Sequence, residues 1–322
     1  MAQAGKLGLY GAMLRSWWRM LAGTSYWHVS PDVGPHFVPG RLEGYVRDYR
    51  AKTRWDGLVD ADGLPLCRTS DGRLAVVSTT VFQKALGEWD SWLDGDRHDP
   101  VRRDAFLAIA RWAVTAQDER GGWPPWMALG VRYASAYSAM TQGQGVSVLV
   151  RAHAATGAAA FLEAARRGTA RILVPIDDGG CSRRVPEGLV LEELPLSVPN
   201  SVLNGWVYAL FGLYDLTLVA DDEAARRALE ETVQALAASL PKYDAGYWSY
   251  YDVLGNLASP YYHQAHIALL AGLEKAFPRH AAAFGDMRVR FEKQAASPLK
   301  RLRAMCVKVI QKLRNPPDVI LE

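Results

Sequence analysis

From Ser78 onward the chain is one helical run after another, and nothing else constrains its fold as much. Apolar residues recur at helical spacing over about 80–93, 101–118, 135–155, 158–172, 199–220, 222–240, 261–276 and 280–295. Pro and Gly punctuate the joins, as at Pro124-Pro125, Gly179-Gly180 and Pro199. Strand signals are confined to 55–78, where Asp-Gly pairs at 56–57, 62–63 and 71–72 separate short apolar runs in a hairpin pattern. Helices in succession must bury their apolar faces against each other. The expected fold is mainly α: an (α/α) toroid or incomplete barrel of paired helices, with a short N-terminal β-hairpin arm. No short internal repeat points to a solenoid. Three segments follow: helix and hairpin arm (1–78), toroid (79–296), and a basic amphipathic helix with tail (297–322).

The two ends carry their own patterns. Residues 7–21 place Tyr10, Leu14, Trp17, Trp18 and Leu21 on one predicted helical face. Residues 24–40 read as loop, and 41–52 as a short charged helix. In the tail, Leu299, Leu302, Cys306, Val309 and Leu313 share one face, with Lys300, Arg301, Arg303, Lys308, Lys312 and Arg314 around it. Docking of that face on the toroid is the ordinary expectation. Contact with an anionic membrane surface or polymer is the alternative.

Composition narrows the class. A chain of 322 residues, 49% of them hydrophobic, can bury a large core. The net charge of +3 is a weak pointer to an acidic substrate. Cys67, Cys181 and Cys306 are far apart and form no CxxC pair, so neither a disulfide framework nor a zinc knuckle is expected. No charge-free apolar run is long enough to span a bilayer, and Arg15 and Arg19 interrupt the apolar N-terminus. The expected location is cytoplasmic, with peripheral membrane contact as the variant. GxGxxG, P-loop, GxSxG and EF-hand patterns are absent, and no nucleic-acid-binding stripe lies outside the tail. A homodimer is compatible with all of this.

The candidate chemistry sits in a few stretches. The runs 133–153 and 199–216 are helical yet carry Gln142, Gly143, Gln144 and Gly145 in one, and Asn204, Gly205 and Tyr208 in the other. Buried polar side chains need partners, so two such helices suggest a polar-lined cavity. The stretch 241–266 holds six Tyr, two Asp and two His, with Tyr251-Asp252 and Tyr262-His263 the pairs of interest. A buried phenol beside cations can exchange a proton; a phenol packed with its hydroxyl bonded is the alternative. Glu192 and Glu193 precede the Asn204 run, placed for a general base or simply solvated. Arg183 and Arg184 together offer a carboxylate clamp or plain surface charge. His263 and His266 lack an HExxH or a third ligand, so structural hydrogen bonding is expected there and no metal.

These stretches resemble the C-terminal catalytic region of the heparosan glucuronyl C5-epimerases. The similar runs are AQDERGGWP (116–124), YSAMTQGQGVSVLVRA (137–152), EEL-P (192–195), VLNGWVYALFGLYDL (202–216), LPKYD (240–244), YYD (250–252) and YHQAH (262–266), in the family's order across about 200 residues. The resemblance implies an (α/α) toroid and inversion at C5 of glucuronate in an anionic polysaccharide, giving iduronate without a redox cofactor. Animal members have a β-rich domain before the QDEKGGWP helix; only the short link DGDRHDP (94–100) stands here, so the chain looks like a compact bacterial form.

Carried over residue by residue, the resemblance gives Glu193 and Tyr262 as the two bases and Tyr251 as a hydrogen-bonding or relay group. Gln144, Arg183, Arg184, Asn204, His263 and His266 become the residues holding carboxylate and hydroxyls. The arm adds Arg41, Arg47 and Arg50. Two positions depart from the family: Leu194 replaces a Tyr, and Leu254 stands where an Arg follows Tyr-Asp-Leu. A polysaccharide lyase shares the first proton abstraction but expels the C4 oxygen. A non-catalytic polysaccharide-binding domain would keep the fold alone.

Overall fold

The computed structural model describes residues 6–69 and 72–315. After α1 (Lys6–Leu21) and an irregular stretch comes the hairpin β1 (Leu66–Arg68) and β2 (Leu74–Val76), antiparallel with Cys67 opposite Ala75. Of the three Asp-Gly pairs, the last makes the hairpin turn: the Gly72 amide donates to the Thr69 carbonyl, while Asp71 lies outside the described residues.

Eight long helices then follow in pairs: α2 (Ser78–Asp94) with α3 (Pro100–Thr115), α5 (Ala139–Thr156) with α6 (Ala159–Leu173), α7 (Leu203–Thr217) with α8 (Glu223–Ser239), and α9 (Pro260–Ala276) with α10 (Ala281–Ala295). The first members α2, α5, α7 and α9 touch in sequence and form an inner arc. The second members back them from outside, so the chain is mainly α, as the helical periodicity predicts. Among the described residues no helix is long and apolar enough to cross a membrane.

Three helices share one start signal, a capping side chain followed by Pro: Asp99-Pro100, Ser259-Pro260 and Ser297-Pro298. The cap oxygen accepts a free first-turn amide, and Pro has no amide to leave unpaired. At α9 this fixes Tyr261 and Tyr262 in the first turn, where the Tyr262 amide donates to the Ser259 hydroxyl.

The centre is the α5–α7 contact. Both helices are buried nearly all round, and their backbones almost touch at Gly143 and Gly212. A Cβ on Gly143 would lie 2.6 Å from the Ala209 Cα, so no larger residue fits without parting the helices. One buried ion pair crosses this contact: Arg151 Nη1 lies 2.6 Å from Asp215 Oδ2, and the guanidinium also donates to the carbonyls of Glu43, Gly44 and Ser147. It ties the N-terminal stretch to the inner arc. Asp215→Ala would leave a buried cation without its counter-charge and is expected to cost about 3–5 kcal/mol. Urea denaturation measures it, and a loss below about 1 kcal/mol, as for a solvated surface pair, would contradict that account.

Several local expectations fail, each for a tertiary reason. Residues 41–49 are irregular, with a 3-10 turn only at Arg50–Thr53. Their backbone pairs instead with 32–34, through a Val33–Arg47 bridge and the Gly34 amide on the Val46 carbonyl. The helices expected from 135 and 199 begin at Ala139 and Leu203. The 134–139 stretch is held extended because its amides at Ala134 and Ala139 donate to the Pro195 and Glu192 carbonyls. An added short helix, α4 (Pro125–Leu129), follows the Pro pair. Outside the 55–78 stretch to which strand signals are confined, residues 182–191 form a second hairpin of β3 (Ser182–Val185) and β4 (Gly188–Leu191).

Both terminal helices bury a different face from the one their pattern suggests. On α1 the buried residues are Ala12 and Met13, while Leu14 and Trp18 are exposed; the Leu21 side chain lies outside the described residues. On α11 (Pro298–Arg314) only Ala304 is fully buried, and the leucine stripe faces outward.

Candidate active site

Five parts of the fold converge on one cluster of ionisable groups. The loop after β4 supplies Glu192 and Glu193. The first turns of α7 supply Asn204 and Tyr208. The loop before α9 supplies Tyr251, and the first turn of α9 supplies Tyr261 and Tyr262. The N-terminal stretch supplies His28, Arg47 and Tyr49.

The two glutamates play different parts. Glu192 accepts from the Asn200 amide at 3.2 Å and the Ser201 amide at 2.6 Å, so it pins the turn leading into α7. Glu193 is buried, and its Oε2 has no hydrogen-bond partner among the described residues. Burial, and then the neighbouring Glu192 charge, push its carboxyl up to about 8. Gly205 makes room for it: a Cβ there would sit 2.2 Å from Glu193 Oε2. The Asn-Gly pair inside an otherwise apolar helix is thereby explained.

The phenols form a second group beside Glu193. The Tyr251 and Tyr262 rings meet edge to face at 4.9 Å, and Tyr261 stands against Tyr262 at 5.3 Å. Burial raises both Tyr251 and Tyr262 above the ordinary phenol range, and the Glu193 charge raises them further. Asn204 beside the Tyr251 phenol acts in the opposite direction and favours its ionised form. His28 lies 4.8 Å from the Tyr261 ring and 6.3 Å from that of Tyr262; burial and then Lys52 hold it neutral, at about 4.

Among the described residues, the guanidinium of Arg47 is the cation set among Tyr49, Tyr208 and Tyr261, with Lys308 near Tyr251 and Lys52 near His28. Arg47 is 1% exposed, and one nitrogen donates to the Tyr261 hydroxyl at 2.9 Å. Its Nε and Nη1 have no partner among the described residues. Burial opposes the charge, yet the phenols of Tyr208, Tyr261 and Tyr49 more than offset this and hold the proton more tightly. A buried guanidinium facing phenols with no carboxylate partner is costly unless an anion forms or arrives there.

The proposed carboxylate and hydroxyl ligands divide. Asn204 belongs to the cluster, and its Oδ1 has no partner among the described residues. Gln144 is fully buried and donates to the Tyr49 hydroxyl at 3.0 Å, so it holds a residue of the wall rather than facing the cleft. The expected Arg183-Arg184 clamp does not form, because neighbours on a strand point to opposite faces. Arg183 donates to the Leu196 carbonyl at 2.6 Å and steadies the glutamate loop, while Arg184 is exposed and pairs with Glu231 of α8. His263 does not reach the cleft either. Its ring stacks on Trp248 at 3.8 Å, and its nitrogens are taken by the Ser249 hydroxyl and the Phe291 carbonyl. His266 shares that hydroxyl through Nδ1 and is kept neutral first by burial; its Nε2 has no partner among the described residues, and Arg47 is a nearby charge. Of the arm's other arginines, Arg41 pairs with Glu43, and Arg50 with Asp48 and Asp94, away from the phenols.

Tyr49, Tyr261 and His28 are site residues that sequence reading passes over. The signal for them is the density of rings and cations in stretches such as YVRDYR (45–50), where two tyrosines stand among two arginines. A cavity of about 470 Å³ lies on the other side of Tyr26 and Trp27, lined also by Trp55, Arg19 and Arg68. Its lining includes the Tyr26 phenol and the Asp56 carboxylate, but Asp56 is exposed and the Tyr26 hydroxyl donates to the Lys52 carbonyl, so the chemistry is placed on the cluster around the buried Glu193.

Fold and cluster together set a group of ionisable side chains on an α/α frame. The family described as D-glucuronyl C5-epimerase C-terminus matches residues 117–293, more than half of the chain, and the protein belongs to that family. It is 36% identical over 199 residues to a D-glucuronyl C5-epimerase of Caenorhabditis elegans, and 30% identical over 132 residues to an uncharacterized protein of Methanocaldococcus jannaschii. Those matches cover 53% and 40% of this chain, but 32% and 43% of the relatives' own lengths, so the chain spans less than half of either.

Proposed function

We propose that the protein inverts C5 of D-glucuronate residues in an anionic polysaccharide by removing the C5 proton with one base and returning a proton from the other face. The reading rests on one observation above all: the buried Glu193 and the half-buried Tyr251–Tyr262 pair come from separate parts of the fold and act on each other's ionisation. Two acid–base groups approaching from different elements are what inversion requires. A carboxyl near 8 is also matched to taking and giving protons around neutral pH.

Proton removal beside a carboxylate builds charge on that carboxylate as an enolate forms. Arg47 is the cation placed to balance it, acting through Tyr261, to whose hydroxyl it donates. In the family pattern an Arg follows Tyr-Asp-Leu; here that position is Leu254, and Arg47 arrives from a different part of the chain. Tyr251, beside Asn204, passes or steadies a proton rather than binding the carboxylate.

The test is proton NMR of a glucuronate polysaccharide incubated with the protein in deuterated water. Loss of the C5 signal with new iduronate signals supports the proposal. New vinylic signals with chain shortening would replace it with β-elimination. No exchange on any of a panel of glucuronate polymers would refute catalysis and leave a binding role.

A further inference from the structure

The leucine stripe of α11 lies on the outside of the molecule. Leu299, Leu302, Met305, Val309, Ile310 and Leu313 are between 38% and 80% exposed, and they form one continuous face along the helix. The opposite face holds the helix in place: Ala304 is buried, and Gln311 accepts from the Leu257 amide and donates to the Gly255 carbonyl. Cations border the stripe on both sides, Arg301 and Lys312 along one edge and Arg303 and Arg314 along the other. The helix contains no acidic residue. Near its C-terminal end stands α1, whose Tyr10 hydroxyl bonds the Leu313 carbonyl and which exposes Leu14 and Trp18 beside Arg19.

We propose that α11, with α1 beside it, docks the protein on an anionic lipid surface, the apolar stripe entering the interface and the flanking cations meeting lipid phosphates. An outward apolar stripe between two rows of Lys and Arg is the pattern of a helix lying in a bilayer interface. Long basic side chains at its edges can keep their charge among the headgroups while their stems cover the apolar boundary. A second copy of the chain fits this face poorly, since pairing α11 with itself would bring together two helices that carry only positive charge. A polyanion such as the glycan would satisfy the cations and leave the leucines in water. The docked face is one helix away from the cluster: Lys308, on the inner side of α11, has its ammonium 5.9 Å from the Tyr251 ring. Binding there would hold the cleft close to the membrane, and it does not depend on the reaction the cleft performs.

Co-sedimentation of the full chain with phosphatidylcholine vesicles, with and without phosphatidylglycerol, tests this. Each basic residue near an anionic surface contributes enough that binding should rise at least about tenfold with phosphatidylglycerol, and fall as salt is added. The triple variant Leu299→Ser, Leu302→Ser, Leu313→Ser should lose at least about tenfold of that binding while keeping the wild-type circular dichroism, because all three positions are exposed. Cys306 supplies a second readout. It is the exposed thiol, Cys67 and Cys181 being buried, and an environment-sensitive dye on it should shift to the blue on anionic vesicles. The proposal fails if the protein stays in the supernatant with anionic vesicles, if the serine variant binds as well as wild type, or if sedimentation equilibrium shows a dimer that the serine variant dissolves.

Discussion

Glu193→Gln should abolish C5 proton exchange, a loss of about 10²–10⁴-fold, and at the same time make the protein more stable above neutral pH. The two effects have one cause. Glu193 is buried, lacks a partner for Oε2 among the described residues, and has its carboxyl pushed from 4.5 up to about 8, first by burial and then by Glu192. Between those two values the folded protein holds a proton that the unfolded chain releases, so this group lowers stability progressively as pH rises from 4.5 to about 8. Gln is neutral throughout and of the same size. The variant should match wild type at low pH and exceed it at about pH 9, by on the order of 4 kcal/mol if the whole shift is realised. Urea denaturation at both pH values gives the stability, and deuterium uptake at C5 gives the activity. For the wild type, exchange should climb as pH passes through about 8, where the carboxylate forms. A variant that is inactive and also less stable at high pH would mean that Glu193 is a structural group.

Arg47→Met should lower exchange by about 10²–10³-fold with the fold intact, the size of effect expected when a preorganised charge is taken from a developing anion. Arg47→Lys keeps the charge and should recover part of the loss. The groups facing Tyr262 set the sign of the pH effect. Tyr261, Glu193, Tyr208 and Tyr251 oppose its ionisation, Arg47 favours it, and His28 is neutral. Without the cation the phenol ionises less readily, so any limb of the pH profile that requires phenolate should move to higher pH in the Met variant and return toward wild type in the Lys variant. A Met variant exchanging at the wild-type rate would remove Arg47 from the chemistry.

The structure also explains why two motif-bearing histidines are poor targets. His263 and His266 share the Ser249 hydroxyl behind the cleft, and burial holds both below the ordinary histidine range. Their place in the YHQAH run reflects the packing that fixes the first turn of α9, and hence Tyr261 and Tyr262. A short sequence run records the presence of these residues but not which of their neighbours turn inward.

The sequence by itself determined what depends on local periodicity and chain chemistry. The long helices α2, α3 and α5 to α11, the capped starts at Asp99, Ser259 and Ser297, and the hairpin at the last Asp-Gly pair follow from spacing, side-chain caps and turn preferences acting within a few residues. The unusual Asn204-Gly205 and the tyrosine-rich stretch also marked where polar groups would be buried. Tertiary structure alone decided which groups meet. Arg47 reached the phenols because residues 41–49 gave up a helix to pair with 32–34, a contact between segments that neither segment encodes alone. Arg183 and Arg184 parted because a second hairpin formed and alternated them. The stripe of α11 stayed outside because the space against the Tyr251 loop admits Ala304 and Gln311 rather than leucines. An amphipathic pattern fixes that a helix has an apolar face; which face meets the protein is set by the shape and polarity of what lies opposite.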